Sequence, residues 1–260
     1  MRALVIHWNI DPVMFTLGEH VFLWYSVLFL AIPLIAWFGT RWIARREGVR
    51  ADVYMPLLFW TFIGFYLGGK LGFRFFYATG SFHGFSSFGA AAGMFLVMWL
   101  FSITKGRQYD ISFLWLTDRD MLMGVWGCVP VRIGNFFNSE LFGTPSDLPW
   151  AVVFERVDFV PRHPVQLYEA AAFLALGVVL LWLYLRRMDR LPRGFMAGLS
   201  LVCVSVIRFL FEFVKVSTKN IDFGIFSLHT AQVLCIPLFL LGLGILLYVR
   251  RHPVPSRLRK

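Results

Sequence analysis

The segment Leu228–Val249 reads LHTAQVLCIPLFLLGLGILLYV and contains no Asp, Glu, Lys or Arg. A helix rises 1.5 Å per residue, so about 20 mostly apolar residues cross the hydrocarbon layer of a membrane. This stretch has the length and composition of such a span, and Arg250 and Arg251 close it. The pattern recurs at Val21–Thr40, Tyr54–Tyr77, Phe88–Ile103, Met121–Phe137, Leu167–Leu185 and Phe195–Val214. The predicted fold is therefore an all-α integral membrane protein with about seven transmembrane helices. The third and fourth spans are short or interrupted. Pro130, inside the fourth, is expected to kink it or end its regular hydrogen bonding.

Composition agrees. The 260 residues are 58% hydrophobic and 15% charged, whereas a soluble domain is about 25% charged. Short connections predict one polytopic domain over residues 1–260, with an outer loop region at 138–166. The net charge is +10, but the cations lie in short clusters between apolar runs, which argues against a nucleic-acid partner. Sixteen of the 25 lysines and arginines follow helices one, three, five and seven, and five lie on the opposite side. Cytoplasmic loops carry the excess of cations. The N-terminus is accordingly predicted outside (periplasmic) and the C-terminus cytoplasmic. Cys128, Cys203 and Cys235 all sit in apolar runs, so no disulfide framework is expected. The first apolar run is too long for a signal-peptide core.

Charged groups inside a membrane are costly and are usually paired or functional. Arg132 and Asn135 are spaced to share a helical face, and Glu140 follows the expected helix end. One reading is an anion site built from a guanidinium fork, amide donors and an orienting carboxylate. The other is an arginine snorkelling to the interface. Two asparagines, a glycine and a proline beside Arg132 favour the first. Arg208 and Glu212, four apart, are expected to pair, either structurally or to hold the arginine for a substrate phosphate. Pro164 suits the first turn of helix five, and Glu169 falls near its positive end. His163 and Gln166 exceed what a cap requires. Gly64, Gly68 and Gly72 predict a close helix–helix contact. Trp24 and Tyr25 read as interfacial belt residues. No metal-ligand cluster or nucleotide loop is present, so neither metal nor cofactor is expected.

The run Arg132-Ile133-Gly134-Asn135-Phe136-Phe137-Asn138-Ser139-Glu140-Leu141-Phe142-Gly143 resembles the signature of the prolipoprotein diacylglyceryl transferase family. The likeness extends to Trp24-Tyr25, Gly68-Gly69-Lys70-Leu71-Gly72, Arg162-His163-Pro164, Gln166-Leu167-Tyr168-Glu169, Arg208-Phe209 with Glu212-Phe213, and Gln232 with Ile236-Pro237. The resemblance implies a multi-pass protein of the bacterial inner membrane. It implies transfer of the diacylglyceryl group of phosphatidylglycerol to the lipobox cysteine of a prolipoprotein signal peptide, forming a thioether and releasing glycerol phosphate. Carried over by position, it gives Arg132, Glu140 and Arg208 catalytic roles. Tyr25, Lys70, Asn135, Asn138, Gly143, His163, Gln166, Tyr168, Glu169 and Glu212 become substrate- or lipid-binding residues. Lys70 stands where the family usually has arginine. Phe88 stands where it commonly has a histidine, and His83 lies five residues earlier. Two guanidinium groups would themselves favour a thiolate. Competing readings are a membrane transporter or lipid-binding protein using the same arginines, and a non-catalytic relative.

Overall fold

The computed structural model describes residues 6–77, 84–216, 220–222 and 227–256; His83 lies outside them. Eight helices carry the described fold: α1 (Trp24–Phe29), α2 (Ala31–Glu47), α3 (Ala51–Tyr77), α4 (Ser87–Ile103), α5 (Phe113–Phe137), α6 (Val165–Arg187), α7 (Phe195–Phe211) and α8 (Thr230–Arg251). Five helical segments are long and apolar enough to cross a membrane: Trp24–Glu47, Ala51–Phe75, Val165–Arg190, Phe195–Val214 and Thr230–Arg251. Their outward faces are apolar. Phe38, Phe59, Phe75, Val178, Trp182, Leu240 and Leu241 are all exposed. In water such a surface would drive association, whereas lipid tails solvate it.

α4 is apolar but short. α5 is long, yet it carries Asp118, Arg119, Asp120 and Arg132. It begins eight residues before the expected Met121, because the Ser112 hydroxyl caps it by accepting the Trp115 N–H at 3.3 Å. Asp118 and Arg119 are tolerated because they are partnered. The fully buried Asp118 accepts the backbone N–H of Gly194 at 2.7 Å and of Ala197 at 2.8 Å, capping the start of α7. Arg119 grips Glu47 at 2.8 Å and the Ser256 carbonyl at 3.1 Å, while the Tyr184 hydroxyl donates to Glu47 at 2.9 Å. These contacts gather the ends of α2 and α6, the starts of α5 and α7, and the chain after α8 at one end of the bundle. Pro130 does not end α5, which continues to Phe137.

The predicted glycine contact is present between α3 and α4. A Cβ added at Gly68 would lie 2.3 Å from the Gly89 carbonyl, and one at Gly64 2.6 Å from the Gly93 carbonyl. The two backbones touch, and any side chain there would force them apart. Gly69 faces the Phe85 ring instead.

The other end corrects a purely helical reading. β1 (Ile6–Trp8) pairs in parallel with β4 (Val152–Phe154), which pairs antiparallel with β5 (Pro161–Arg162). Hairpins β2 (Val13–Leu17)–β3 (His20–Leu23) and β6 (Asn220–Asp222)–β7 (Ser227–His229) complete this layer. Residues 20–23, where the first helix was expected to begin, therefore belong to a strand. Val152 and Phe154 pack under Phe136 at the tip of α5, so the segment between α5 and α6 is a folded cap seated on the bundle.

Candidate active site

The end of α5 builds the centre of the site. Asn138 closes the helix with its N–H on the Gly134 carbonyl at 3.0 Å. The chain then passes through Ser139 (φ 53°) and Leu141 (φ 57°). Two non-glycine residues in the left-handed region within three positions are strained and persist only where surrounding structure holds them. The reward is the placement of Glu140 between them. Its N–H returns to the Asn135 carbonyl at 3.0 Å, and its carboxylate accepts the Asn135 side-chain amide at 2.9 Å. The Asn135 oxygen in turn accepts from the Arg132 guanidinium at 3.2 Å. A chain thus runs from Glu140 through Asn135 to Arg132 and sets the plane of the fork.

α6 supplies the opposite wall. Gln166, fully buried, donates to the Glu140 carbonyl at 2.7 Å. Glu169, also fully buried, sits 3.1 Å from Arg132 Nε. The same carboxylate receives Lys215 Nζ at 3.2 and 3.4 Å. Lys215 arrives there because the strand after α7 is laced to the loop: Thr144 N–H to the Val214 carbonyl at 2.9 Å, and Val216 N–H to the Phe142 carbonyl at 3.2 Å. Gly143 lets this crossing happen. A Cβ there would lie 2.5 Å from His163 Cβ.

Arg208, in the last turn of α7, acts electrostatically on both Arg132 and Lys215. The expected Arg208–Glu212 pair does not form. α7 ends at Phe211, and a tighter 3₁₀ turn carries Glu212 out of the i, i+4 row toward His229, 3.6 Å away. Among the described residues, no carboxylate comes within 4.0 Å of Arg208. Tyr25 packs its ring on Gly134 and is within electrostatic reach of Arg132 and Glu140. Tyr168 accepts the Trp150 indole N–H at 2.8 Å and lies 3.4 Å from His163 on the flank of the cluster. Below Gly143, Arg162 pairs with Asp158 at 2.5 Å and covers the Phe142 ring. That guanidinium holds the Asp158 carboxyl below the usual carboxylate range.

The structure thus joins Arg132, Asn135, Glu140, Gln166 and Glu169, sets Tyr25 and Arg208 beside them, and adds Lys215, which sequence reading counted as a loop cation. Lys70 stands on α3, 5.9 Å from the Tyr66 ring centroid, in the α3–α4 pair rather than among α5, α6 and α7. Two cations, Arg132 and Lys215, share the buried Glu169 carboxylate, and a third, Arg208, lies within electrostatic reach of both.

The sequence model of the prolipoprotein diacylglyceryl transferase family matches residues 12–248. The chain belongs to that family. It is 35% identical to the phosphatidylglycerol–prolipoprotein diacylglyceryl transferase of Tolumonas auensis, over 94% of this chain and 97% of the relative. It is 34% identical to the enzyme of that name from Chromohalobacter salexigens, over 95% of each. For the one from Pseudomonas paraeruginosa the figure is 33%, over 94% and 95%. In this transferase the Arg132 run and the Gln166–Glu169 run, distant in sequence, meet as the two walls of one cluster.

Proposed function

We propose that this chain transfers the diacylglyceryl group of phosphatidylglycerol to the lipobox cysteine of a prolipoprotein signal peptide, and that the Arg132 cluster is where it does so. The observation that carries the reading is the convergence of Arg132 and Lys215 on one buried carboxylate, Glu169, with half-buried Arg208 beside them and no carboxylate within 4.0 Å of it among the described residues. The phosphate diester of the lipid is the complementary anion. The cysteine sulfur attacks the glyceryl carbon, the C–O bond to phosphate breaks, and glycerol phosphate leaves with the electron pair. Arg132 and Arg208 stabilise the charge growing on the phosphate; donors already aimed at it cost no reorganisation at the moment of reaction. Glu140 and Asn135 orient the Arg132 fork, and Glu169 bridges Arg132 and Lys215. Tyr25, Asn138, His163 and Tyr168 line the approach for lipid and peptide, and the buried Gln166 fixes the Glu140 backbone. The displacement as written uses no cofactor.

The reading places the protein in the bacterial inner membrane with seven spans, α4 and α5 being the two that hydropathy under-reports. The β layer and the site face outward, where a secreted preprotein presents its cysteine. The sixteen-to-five bias in cations supports this orientation.

Incubating the purified protein with phosphatidylglycerol vesicles and a lipobox peptide should raise the peptide mass by one diacylglyceryl group on sulfur. Lipid binding without any mass gain would identify a non-catalytic relative instead. Orientation is checked with single-cysteine variants in cells. Asp158→Cys should react with an impermeant maleimide, and Arg190→Cys only after permeabilisation. Labelling of both from the same side would remove the seven-span reading.

A further inference from the structure

At the end of the bundle away from the Arg132 cluster, the last turns of α2 and α6 and the 3₁₀ helix Lys105–Tyr109 border a cleft of about 970 Å³. We propose that this cleft binds the phosphate headgroup of an anionic phospholipid from the leaflet at that end, as a second lipid site separate from the Arg132 cluster.

Five guanidinium groups and three carboxylates line the cleft. Glu47 is taken by Arg119 at 2.8 Å and Asp110 by Arg193 at 2.6 Å, while Arg50 turns to Asp52 at 2.7 Å. That leaves Arg46, Arg107 and Arg186. Among the described residues, no carboxylate comes within 4.0 Å of any of the three. Even with the remaining lining carboxylate, Asp189, set against them, positive charge is in excess. Arg46 lies in the last turn of α2 and Arg186 in the last turn of α6. The negative end of a helix carries about half a charge. The two helix ends therefore draw arginines to this place but do not neutralise all three. The floor below them is rigid, because Arg119, Glu47 and Tyr184 already hold one another.

The surroundings fit a lipid rather than a soluble anion. Trp42 precedes Arg46 by one turn on α2, and Trp182 precedes Arg186 by one turn on α6. Both indoles are exposed, at 40% and 51%. The Arg46 guanidinium lies 5.9 Å from the Trp42 ring centroid, and Trp42 meets Tyr184 of α6 at 5.5 Å. Tryptophan gathers at the level of the headgroups, so an arginine one turn beyond it stands among phosphates. A smaller recess lined by Trp182, Arg186, Arg187 and Arg190 adjoins the cleft at Arg186. It carries the basic surface onto the exposed apolar face of α6 that bears Val178 and Trp182, where acyl chains can lie. Basic pockets between membrane helices are a recurrent seat for anionic headgroups. A phosphodiester seated here joins the ends of α2, α6 and the 3₁₀ helix and relieves the repulsion among three guanidiniums. Binding therefore stabilises the bundle, and no bond is made or broken.

The test uses the purified protein in neutral detergent, followed by thermal unfolding and by native mass spectrometry. Saturating phosphatidylglycerol should raise the melting temperature of wild type by roughly 5 °C. In Arg46→Gln/Arg107→Gln/Arg186→Gln that rise should fall by at least half, and one fewer lipid should stay bound. Without lipid this variant should melt at or above wild type, because like charges have been removed. The corresponding triple lysine variant keeps the charge and should keep the lipid, which controls for folding. Phosphatidylcholine, whose headgroup has no net charge, should shift wild type and the glutamine variant alike. Glycerol phosphate alone, which the transfer site also accommodates, should do the same. If the glutamine variant loses a glycerol phosphate shift that wild type shows, the cleft is a soluble-phosphate site and the lipid assignment is overturned. Equal lipid counts and equal phosphatidylglycerol shifts in wild type and the glutamine variant would show that the cleft holds no lipid. Arg132→Lys separates the two sites. It should leave the cleft-bound lipid in place, and absence of transfer by wild type would remove the reading of the Arg132 cluster without altering the lipid count at the cleft.

Discussion

Arg132→Lys is expected to lower the rate of transfer by about a hundredfold or more, the scale seen when one preorganised donor to developing charge is lost, with the bundle still folded. The charge survives this change, so Glu169 keeps a cationic partner. What disappears is the fork. Arg132 uses Nε for Glu169 and one terminal nitrogen for Asn135, leaving its other terminal nitrogen to face a bound phosphate. An ammonium on a flexible stem cannot hold two fixed partners and present a directed donor to a third. Transfer measured by peptide mass, beside thermal unfolding of the same sample, checks the result. Near-normal transfer at unchanged stability would mean that Arg132 only anchors Glu169, and that the phosphate is held elsewhere.

Much of this site was legible along the chain because its parts are local. Arg132, Asn135 and Glu140 lie within nine residues on one helix end, and helical periodicity alone aligns the first two. The glycines of α3 were equally readable, since spacing of four places them on one stripe. Glu169 was readable as a carboxylate near the positive end of its helix but not as the partner of Arg132, because that pairing depends on how α5 and α6 pack. The inward contact of Lys215 was hidden for a related reason. A cation just past an apolar run looks like an interfacial anchor, and only the crossing at Gly143 turns it inward. Arg208 and Glu212 failed in the opposite direction. The spacing was right for a helix, but the helix stops at Phe211. Asp118 and Arg119 hid the first two turns of α5, because hydropathy counts charges and cannot see that each is partnered. The β layer was missed because β1 and β4, about 145 residues apart, make a pairing that no local pattern announces.

Glu169→Gln should be the most destabilising conservative change in the site. The side chain is fully buried between Arg132 and Lys215. Glutamine keeps the shape and removes the only charge those two cations share. Breaking a buried pair by deleting one partner typically costs about 3–5 kcal/mol, because the remaining charge is left uncompensated. The loss should depend on pH in a definite sense. Burial already pushes the Lys215 ammonium below the ordinary lysine range; Glu169 pulls it back up, and Arg132 and Arg208 push it down again. Without Glu169 the folded-state value falls further. Between that value and the unfolded value of about 10.4, the unfolded chain binds more protons than the folded one, so stability rises with pH across that window. Melting temperatures of Glu169→Gln taken from pH 6 to 10 should therefore climb toward the wild-type curve at the alkaline end. The double variant Glu169→Gln/Lys215→Met removes one stranded cation outright and should recover much of the loss at neutral pH. If Glu169→Gln melts like wild type at every pH, Glu169 does not carry the charge balance of Arg132 and Lys215, and the convergence on which the phosphate assignment rests is not held by it.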